Sequence, residues 1–473
     1  MRRSSLVTTA LVAASALVAS ALAAGAQSSP PAGVSVQPRT GAEYVVAFKG
    51  SAATAIAAIR DAGGVVLDVN EAIGVALVSS AYSAFLTEVR SDPAVTGVTR
   101  NHAVGTVRPG MPHRYAEERP EFAGPPNAVH QPAAALAKVQ ALSVKKEEPL
   151  NGLQWDMQMI GANANGAHRK ITGRGVLVGV IDTGVDASHP DIKPNFDKKR
   201  SRNFTTDIPA IDGPCEYAGC VDPVDVDDGG HGTHVAGTIA AKKNNFGIAG
   251  VAPNAKIVNV RAGQDSGYFF LFETVAALTY AGDAGLDVVN MSFYTDPWLF
   301  NCDSADDYLA GAVTPEQLAE QALTKQLVTA ALEYAHAHGV TLVAAAGNDH
   351  LNLALPSRTD LTSPDYPAGT ATPLTVVTDQ CPILPGEGPH VIQVSSVGPS
   401  TTKADYSNYG YPNIEVAAPG GWFRDFFGTP QFNIAANGIL STYPLSVAIA
   451  EGLADADGNP TSDASVKACN KHS

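Results

Sequence analysis

GVLVGVID, residues 175–182, is an apolar run of strand length that ends on a carboxylate. Three later runs share its character: LDVVNMS (286–292), GVTLVAAAGN (339–348) and HVIQVSSVG (390–398). Near-continuous apolar strands are expected where a parallel sheet is covered on both faces. PEQLAEQALTKQLVTAALEYAHAHG (315–339) has the spacing of a long amphipathic helix, closed by Gly339 with His336 and His338 near its negative end. Strand, turn and helix in repetition predict an α/β domain with a doubly wound, mostly parallel sheet. Ligands of such sheets sit beyond the carboxyl ends of the strands. The polar residues that end the runs are Asp182, Asn290 with Ser292, and Asn348, so function is sought there.

A second stretch, DDGGHGTHVAGTIAA (227–241), sets His231 between glycines at the head of a small-residue segment. Gly229, Gly230 and Gly232 leave its ring unobstructed, and the small residues allow a helix to pack closely behind it. A neutral imidazole near pH 7 can act as a general base. Asp182, partly shielded at a strand end, is placed to orient such a ring and stabilise its cation. His234 lies one turn further on, and the two histidines also read as a metal pair. No carboxylate stands in a zincin pattern beside them, so His234 is expected to pack and hydrogen-bond internally. Asn348 follows a glycine that permits a sharp turn, and its amide is suited to donate to an oxygen that acquires negative charge.

With 473 residues the chain is long enough for two or three domains and a large core. A net charge of -15 argues against nucleic-acid or anionic-membrane partners. The N-terminus reads as a secretory signal over residues 1–26: Arg2 and Arg3 precede an apolar stretch, Leu6–Leu22, and small residues precede a cut at Gln27. A membrane anchor is the competing reading, disfavoured by the many small alanines. Export to an oxidising compartment makes disulfides plausible. Cys215 and Cys220 bracket only four residues, Cys302 and Cys381 form a second candidate pair, and Cys469 is left over.

Residues 43–106 read as a β-α-β-β-α-β unit of ferredoxin-like order, giving a small α+β domain at 41–106. EYVVAFKG is read as an alternating strand and AATAIAAIRDAGG as a helix closed by Gly63 and Gly64. Residues 107–149 are rich in proline and polar groups and are expected to form an exposed connector. The large α/β domain then occupies 150–473.

VIDTGVDASHPD, HGTHVAGTIAA, NNFGIAGVAP, DVVNMS, VAAAGN, ADYSNYG and VAAPGG, taken together, resemble the subtilisin-like serine proteases, or subtilases. The resemblance covers about 150–445. It implies that Asp182 orients, His231 acts as general base and Asn348 helps hold the oxyanion. Residues 43–106 are similar to the inhibitory propeptides of that family, which implies an intramolecular inhibitor and folding aid, separated between about residues 104 and 150. Ser266-Gly267-Tyr268 and Ser292-Phe293-Tyr294 match its substrate-flanking segments, with Ala345-Ala346-Gly347 beside them, and an extended peptide is expected to add there as a strand. FYTDPW (293–298) departs from the family by placing bulky rings where glycine is usual. Asp227 and Asn244 occupy positions similar to a calcium loop of some relatives, although Lys242 and Lys243 crowd it with positive charge and a solvated turn is the competing reading. No cofactor is implied for the chemistry itself.

The family's nucleophile motif, G-T-S-x-A, does not occur in the sequence. Gly428-Thr429 is followed by Pro430, and Ser441 in ILSTYP matches the family's strand before the nucleophile loop. Asp265-Ser266-Gly267, which superficially resembles a nucleophile segment of another protease class, instead follows the cleft-lining strand. The expectation is a secreted, monomeric endopeptidase precursor acting on peptides or proteins, with the chain stopping short of its nucleophile and inactive as given. A non-catalytic, peptide-binding or inhibitory relative is the alternative.

Overall fold

The computed structural model describes residues 41–101, 147–309 and 311–461. The expected signal segment, nearly all of the connector and Cys469 lie outside the described residues.

The N-terminal unit runs β1 (Ala42–Phe48), α1 (Ala52–Asp61), β2 (Val65–Asn70), β3 (Val75–Ser80), α2 (Phe85–Arg90), β4 (Val95–Arg100). Its antiparallel sheet has the order β2-β3-β1-β4. Ser51 starts α1 by accepting from the Thr54 N–H at 3.2 Å, and Gly63, at φ +83°, ends it. One sheet face, with Tyr44, Val46, Ala76 and Val78, packs on Ile59, Phe85 and Val89 of the two helices. The other face, with Val45, Ala47, Val75 and Leu77, enters the main core of the molecule. β1 is therefore buried along almost its whole length. The alternation read for EYVVAFKG is absent in burial because β1 is covered on both faces.

The second region carries β5 (Leu177–Ile181), β6 (Arg202–Asn203), β7 (Lys256–Arg261), β8 (Val288–Met291), β9 (Thr341–Ala345), a small antiparallel pair β10 (Arg358–Asp360) and β11 (Leu374–Val376), β12 (Val391–Val397) and β13 (Val416–Pro419). Seven of these form one sheet in the order β13-β12-β9-β8-β5-β7-β6, every pair parallel. Chain order reverses beside β5: β6 and β7 lie on one side, β8 and its successors on the other. That reversal is the switch point at which such sheets bind ligands, and Asp182 directly follows β5.

Helices cover both faces. On one side α3 (His231–Ala240) packs Ala236 and Ala240 on Val178, Val180 and Ile257. Its small residues are required: a Cβ on Gly237 would come within 2.3 Å of the Thr442 hydroxyl. On the other side lie α4 (Leu271–Asp283) and α5 (Pro315–Ala337). α4 is buried nearly throughout because it is sandwiched between the parallel sheet and the N-terminal sheet. α5 begins with a capping box, Thr314 with Gln317, and is followed by Gly339 at φ +88°. Asn70 donates to Thr279 at 2.7 Å, and Asn101 accepts from the Phe272 N–H while donating to Glu273.

Both expected disulfides are present, Cys215–Cys220 and Cys302–Cys381. The second sits in an apolar cluster with Trp298, Phe300, Leu353 and Ile383. Glu147 and Glu148 are tied into the larger region. Glu147 accepts from the Ala164 N–H and pairs with Lys243, while Glu148 accepts from the Phe246 N–H. Among the described residues no helix is long and apolar enough to cross a membrane.

Candidate active site

Asp182 is wholly buried at the end of β5. The N–H groups of Ala262 and Gly263 hold its carbonyl, and the Thr183 N–H donates to its carboxylate at 2.8 Å. His231 is the first residue of α3, reached through Gly230 in the left-handed region at φ +89°. A Cβ at Gly232 would stand 2.0 Å from the Gly184 carbonyl, so the approach of α3 to the β5 turn needs glycine there. The two elements bring Nδ1 of His231 to 2.8 Å from Asp182 Oδ1. The imidazole is 41% exposed and its partner carboxylate not at all. The Asp182 charge raises the pKa of His231 above its ordinary value, against the opposing effect of burial.

Asp227 lies in the turn before α3. Its Oδ1 accepts from the Thr183 hydroxyl and the Gly229 and Gly230 N–H groups, and its Oδ2 from the Thr233 N–H and hydroxyl. A carboxylate at a helix N-terminus is favourable, and here it fixes the turn that carries His231. Five donors thus converge on its two oxygens. Asn244 instead donates to Asp191 and to the Pro190 carbonyl. Its Oδ1 is buried and accepts no hydrogen bond among the described residues.

His234 behaves as expected for an internal histidine. Its Nε2–H donates to the Ile439 carbonyl at 3.3 Å, and burial lowers its pKa to about 4, keeping it neutral. Asn348 is exposed after Gly347, which sits at φ +101°, and among the described residues its side chain makes no hydrogen bond. Asp182, His231 and Asn348 thus follow β5, head α3 and follow β9.

Of the substrate-flanking segments, Ser266-Gly267-Tyr268 closes on itself. Gly267 N–H donates to the Gln264 carbonyl, Gln264 N–H to the Tyr268 carbonyl, and the Ser266 N–H and hydroxyl to Asp212. Part of the backbone expected to meet a peptide is therefore already occupied. Ser292 accepts from Asn290, Phe293 stacks on Phe269 with ring centres 4.0 Å apart, and the Tyr294 hydroxyl donates to Asp365 at 2.6 Å. Ala346 is tied to β12 through its N–H and the Val394 carbonyl, with Ala345 and Gly347 on either side.

Sequence reading missed several partners. Asp365 and Asp296 are neighbours, and burial raises both pKa values, that of Asp296 further through the Asp365 charge. The guanidinium of Arg261 is fully buried among Asp207, Asp222 and Asp265. Oxygens of Asp222, Asp228 and Asp265 also lie within 4.8 Å of one another. Burial pushes Asp265 up to about 8, Asp207 to about 7 and Asp228 to about 6. Arg261 supplies the cation among these acids, and two sets of them, Asp207 with Glu216 and Asp265, and Asp222 with Asp228 and Asp265, are close enough to hold a metal ion. The signal was available: an arginine ending the apolar run KIVNVR must be buried with acids, and 207–228 is rich in them.

The sequence pattern of the Subtilase family matches residues 173–468. The chain belongs to the subtilase family. This subtilase is 30% identical over 268 residues to Subtilisin Savinase of Lederbergia lenta, covering 56% of this chain and 71% of that protein. It is 39% identical over 151 residues to an intracellular serine protease of Paenibacillus polymyxa, covering 32% of this chain and 41% of that one. The matched region spans 50% of the alkaline protease of Alkalihalobacillus alcalophilus, which is 30% identical over 56% of this chain. The chain therefore spans about half the length of several curated relatives. Among solved structures, an epidermin leader peptide processing serine protease of Staphylococcus aureus superposes with a TM-score of 0.58, at 21% identity over 85% of this chain and 81% of that one. At that identity the likeness concerns the fold.

In this subtilase no hydroxyl or thiol among the described residues hydrogen-bonds Nε2 of His231. Ser441 is engaged on α3, donating to the His234 carbonyl and accepting from Thr238, and it lies in no named strand. The Tyr443 ring stands against Gly230, within 3.0 Å of where a Cβ would be, and its hydroxyl donates to Glu451.

Proposed function

We propose that this subtilase is the precursor of a secreted serine endopeptidase, and that residues 1–473 carry its orienting carboxylate, base and oxyanion donor without the nucleophile. The 2.8 Å contact between Asp182 and His231 Nδ1 carries the reading. With Nδ1–H donated to Asp182, the neutral ring keeps its lone pair on Nε2. That nitrogen takes the proton of an acyl-accepting hydroxyl as the hydroxyl attacks the scissile carbonyl. Asp182 stabilises the imidazolium, Asn348 donates to the tetrahedral oxyanion, and His231 returns the proton to the leaving amine. These steps use protein groups alone.

The N-terminal unit acts as an intramolecular inhibitor and folding aid. Its inner face is part of the main core, and Asn101, just past β4, engages α4. Separation occurs between about residues 104 and 150. Two disulfides support an extracellular location. Substrates are peptides or proteins, and the chain acts as a monomer.

A fluorophosphonate probe tests the reading. Residues 1–473 alone should not be labelled. The same chain joined at its C-terminus to a subtilase segment bearing G-T-S-x-A should be, and His231→Ala should abolish the labelling. Labelling of the 473-residue chain, or labelling of the joined chain that survives His231→Ala, would overturn it.

A further inference from the structure

We infer that Asn408 is the positioning residue for the oxyanion donor Asn348. This rests on the peptidase reading of Asn348 and deepens it. Asn408 is fully buried in the loop after β12 and bonds to the chain on both sides of Asn348. Its Nδ2 donates to the Ala346 carbonyl at 2.9 Å and its backbone N–H to the Gly347 carbonyl at 3.0 Å. Its Oδ1 accepts from the N–H groups of Asp349 at 3.0 Å and Leu351 at 2.8 Å. The side-chain amide therefore holds residues 346, 349 and 351 and the backbone N–H holds 347, on both sides of Asn348, whose own side chain makes no hydrogen bond among the described residues.

The chemistry demands an amide. The group must donate to a carbonyl on one side of residue 348 and accept two N–H groups on the other, which neither a carboxylate nor a hydroxyl of the same reach does. The fit is close: a Cβ on Gly347 would meet Asn408 Nδ2 at 2.5 Å. The loop holding Asn408 is itself anchored. Lys403 Nζ donates to the carbonyls of Ala404, Asp405 and Ser407 and lies over the Tyr409 ring, while the Ser396 N–H donates to Ser407. The His350 N–H to Tyr406 carbonyl bond and the Tyr409 N–H to Leu351 carbonyl bond continue the seam. An exposed donor works only if its backbone is fixed before the oxyanion forms.

The test needs no nucleophile. The 473-residue chain is titrated calorimetrically with a tetrapeptide ending in a carboxylate, the product whose oxygen would occupy the oxyanion position, and with the same peptide ending in a primary alcohol. The carboxylate form should bind roughly tenfold or more tightly, the scale of one hydrogen bond to a charged group. Asn348→Ala should erase the preference, and Asn408→Ser should reduce it below about threefold. In the Asn348→Ala background Asn408→Ser should change nothing more, an outcome that a merely structural role would not give. Gly347→Ala, which presses on the same amide, supplies a second route if Asn408→Ser does not fold. Full carboxylate preference in Asn408→Ser, or a loss that adds to that of Asn348→Ala, overturns the inference. Absence of any preference in the unmodified chain instead overturns the oxyanion reading of Asn348, and the positioning role with it.

Discussion

The buried carboxylate of Asp182 and Nδ1 of His231 lie 2.8 Å apart across 49 residues of sequence. The contact decides which nitrogen keeps the proton and which is the base. It also sets a pH dependence. His231 must be neutral to accept a proton, so labelling of the joined chain should rise with pH through a midpoint above 6.5. The stability from the pair runs the other way. It is fully present below the unfolded histidine value near 6.5 and lost as pH rises through the higher folded value. A labelling midpoint below 6.5 would contradict the assignment.

Asn101 joins the N-terminal unit to α4 by donating to Glu273 and accepting from the Phe272 N–H. Asn101→Ala removes both bonds from a buried site. A loss of about 1.5–3 kcal/mol is expected in denaturant unfolding. No loss would mean that the Asn101 bonds do not help to hold the two regions together.

The two disulfides should differ in weight. Cys302–Cys381 closes a loop of 79 residues, Cys215–Cys220 one of 5. On loop entropy, replacing the first pair by serines costs about 4.5 kcal/mol and the second about 2. Unfolding midpoints of the two double variants check this, and equal losses would refute it.

Burial raises the pKa values of both Asp296 and Asp365 in the fold. The unfolded carboxyls release their protons near pH 4. The native state therefore holds more protons above that pH, and the pair's contribution to stability falls as pH rises. Asp296→Asn removes a titrating group, so its stability relative to the unmodified chain should improve between pH 5 and pH 9. Urea midpoints at both values measure the difference, and an unchanged difference would show that the fold does not raise the Asp296 pKa.

Much of this was legible because apolar runs and glycine placement are local signals. The runs ending at Asp182 and Asn348 became β5 and β9 since both sheet faces are covered, and the glycines around His231 marked the only conformations that fit. What escaped the sequence depends on distant pairing. Nothing local links Asp296 to Asp365, Arg261 to Asp207, or Asn408 to the Asn348 loop. Asp227 is a related case: its type and place suit a metal as well as a helix cap, and the five donors that converge on it come from residues brought together only by the fold.

The imidazole of His231 offers the most direct measurement. Nitrogen-15 NMR of the ring across pH 4 to 9, in the 473-residue chain and in Asp182→Asn, should show a neutral form protonated on Nδ1, a pKa above 6.5, and a drop in that pKa in the variant. A neutral ring protonated on Nε2, or a titration indifferent to Asp182→Asn, would contradict the proposed base and the carboxylate that orients it.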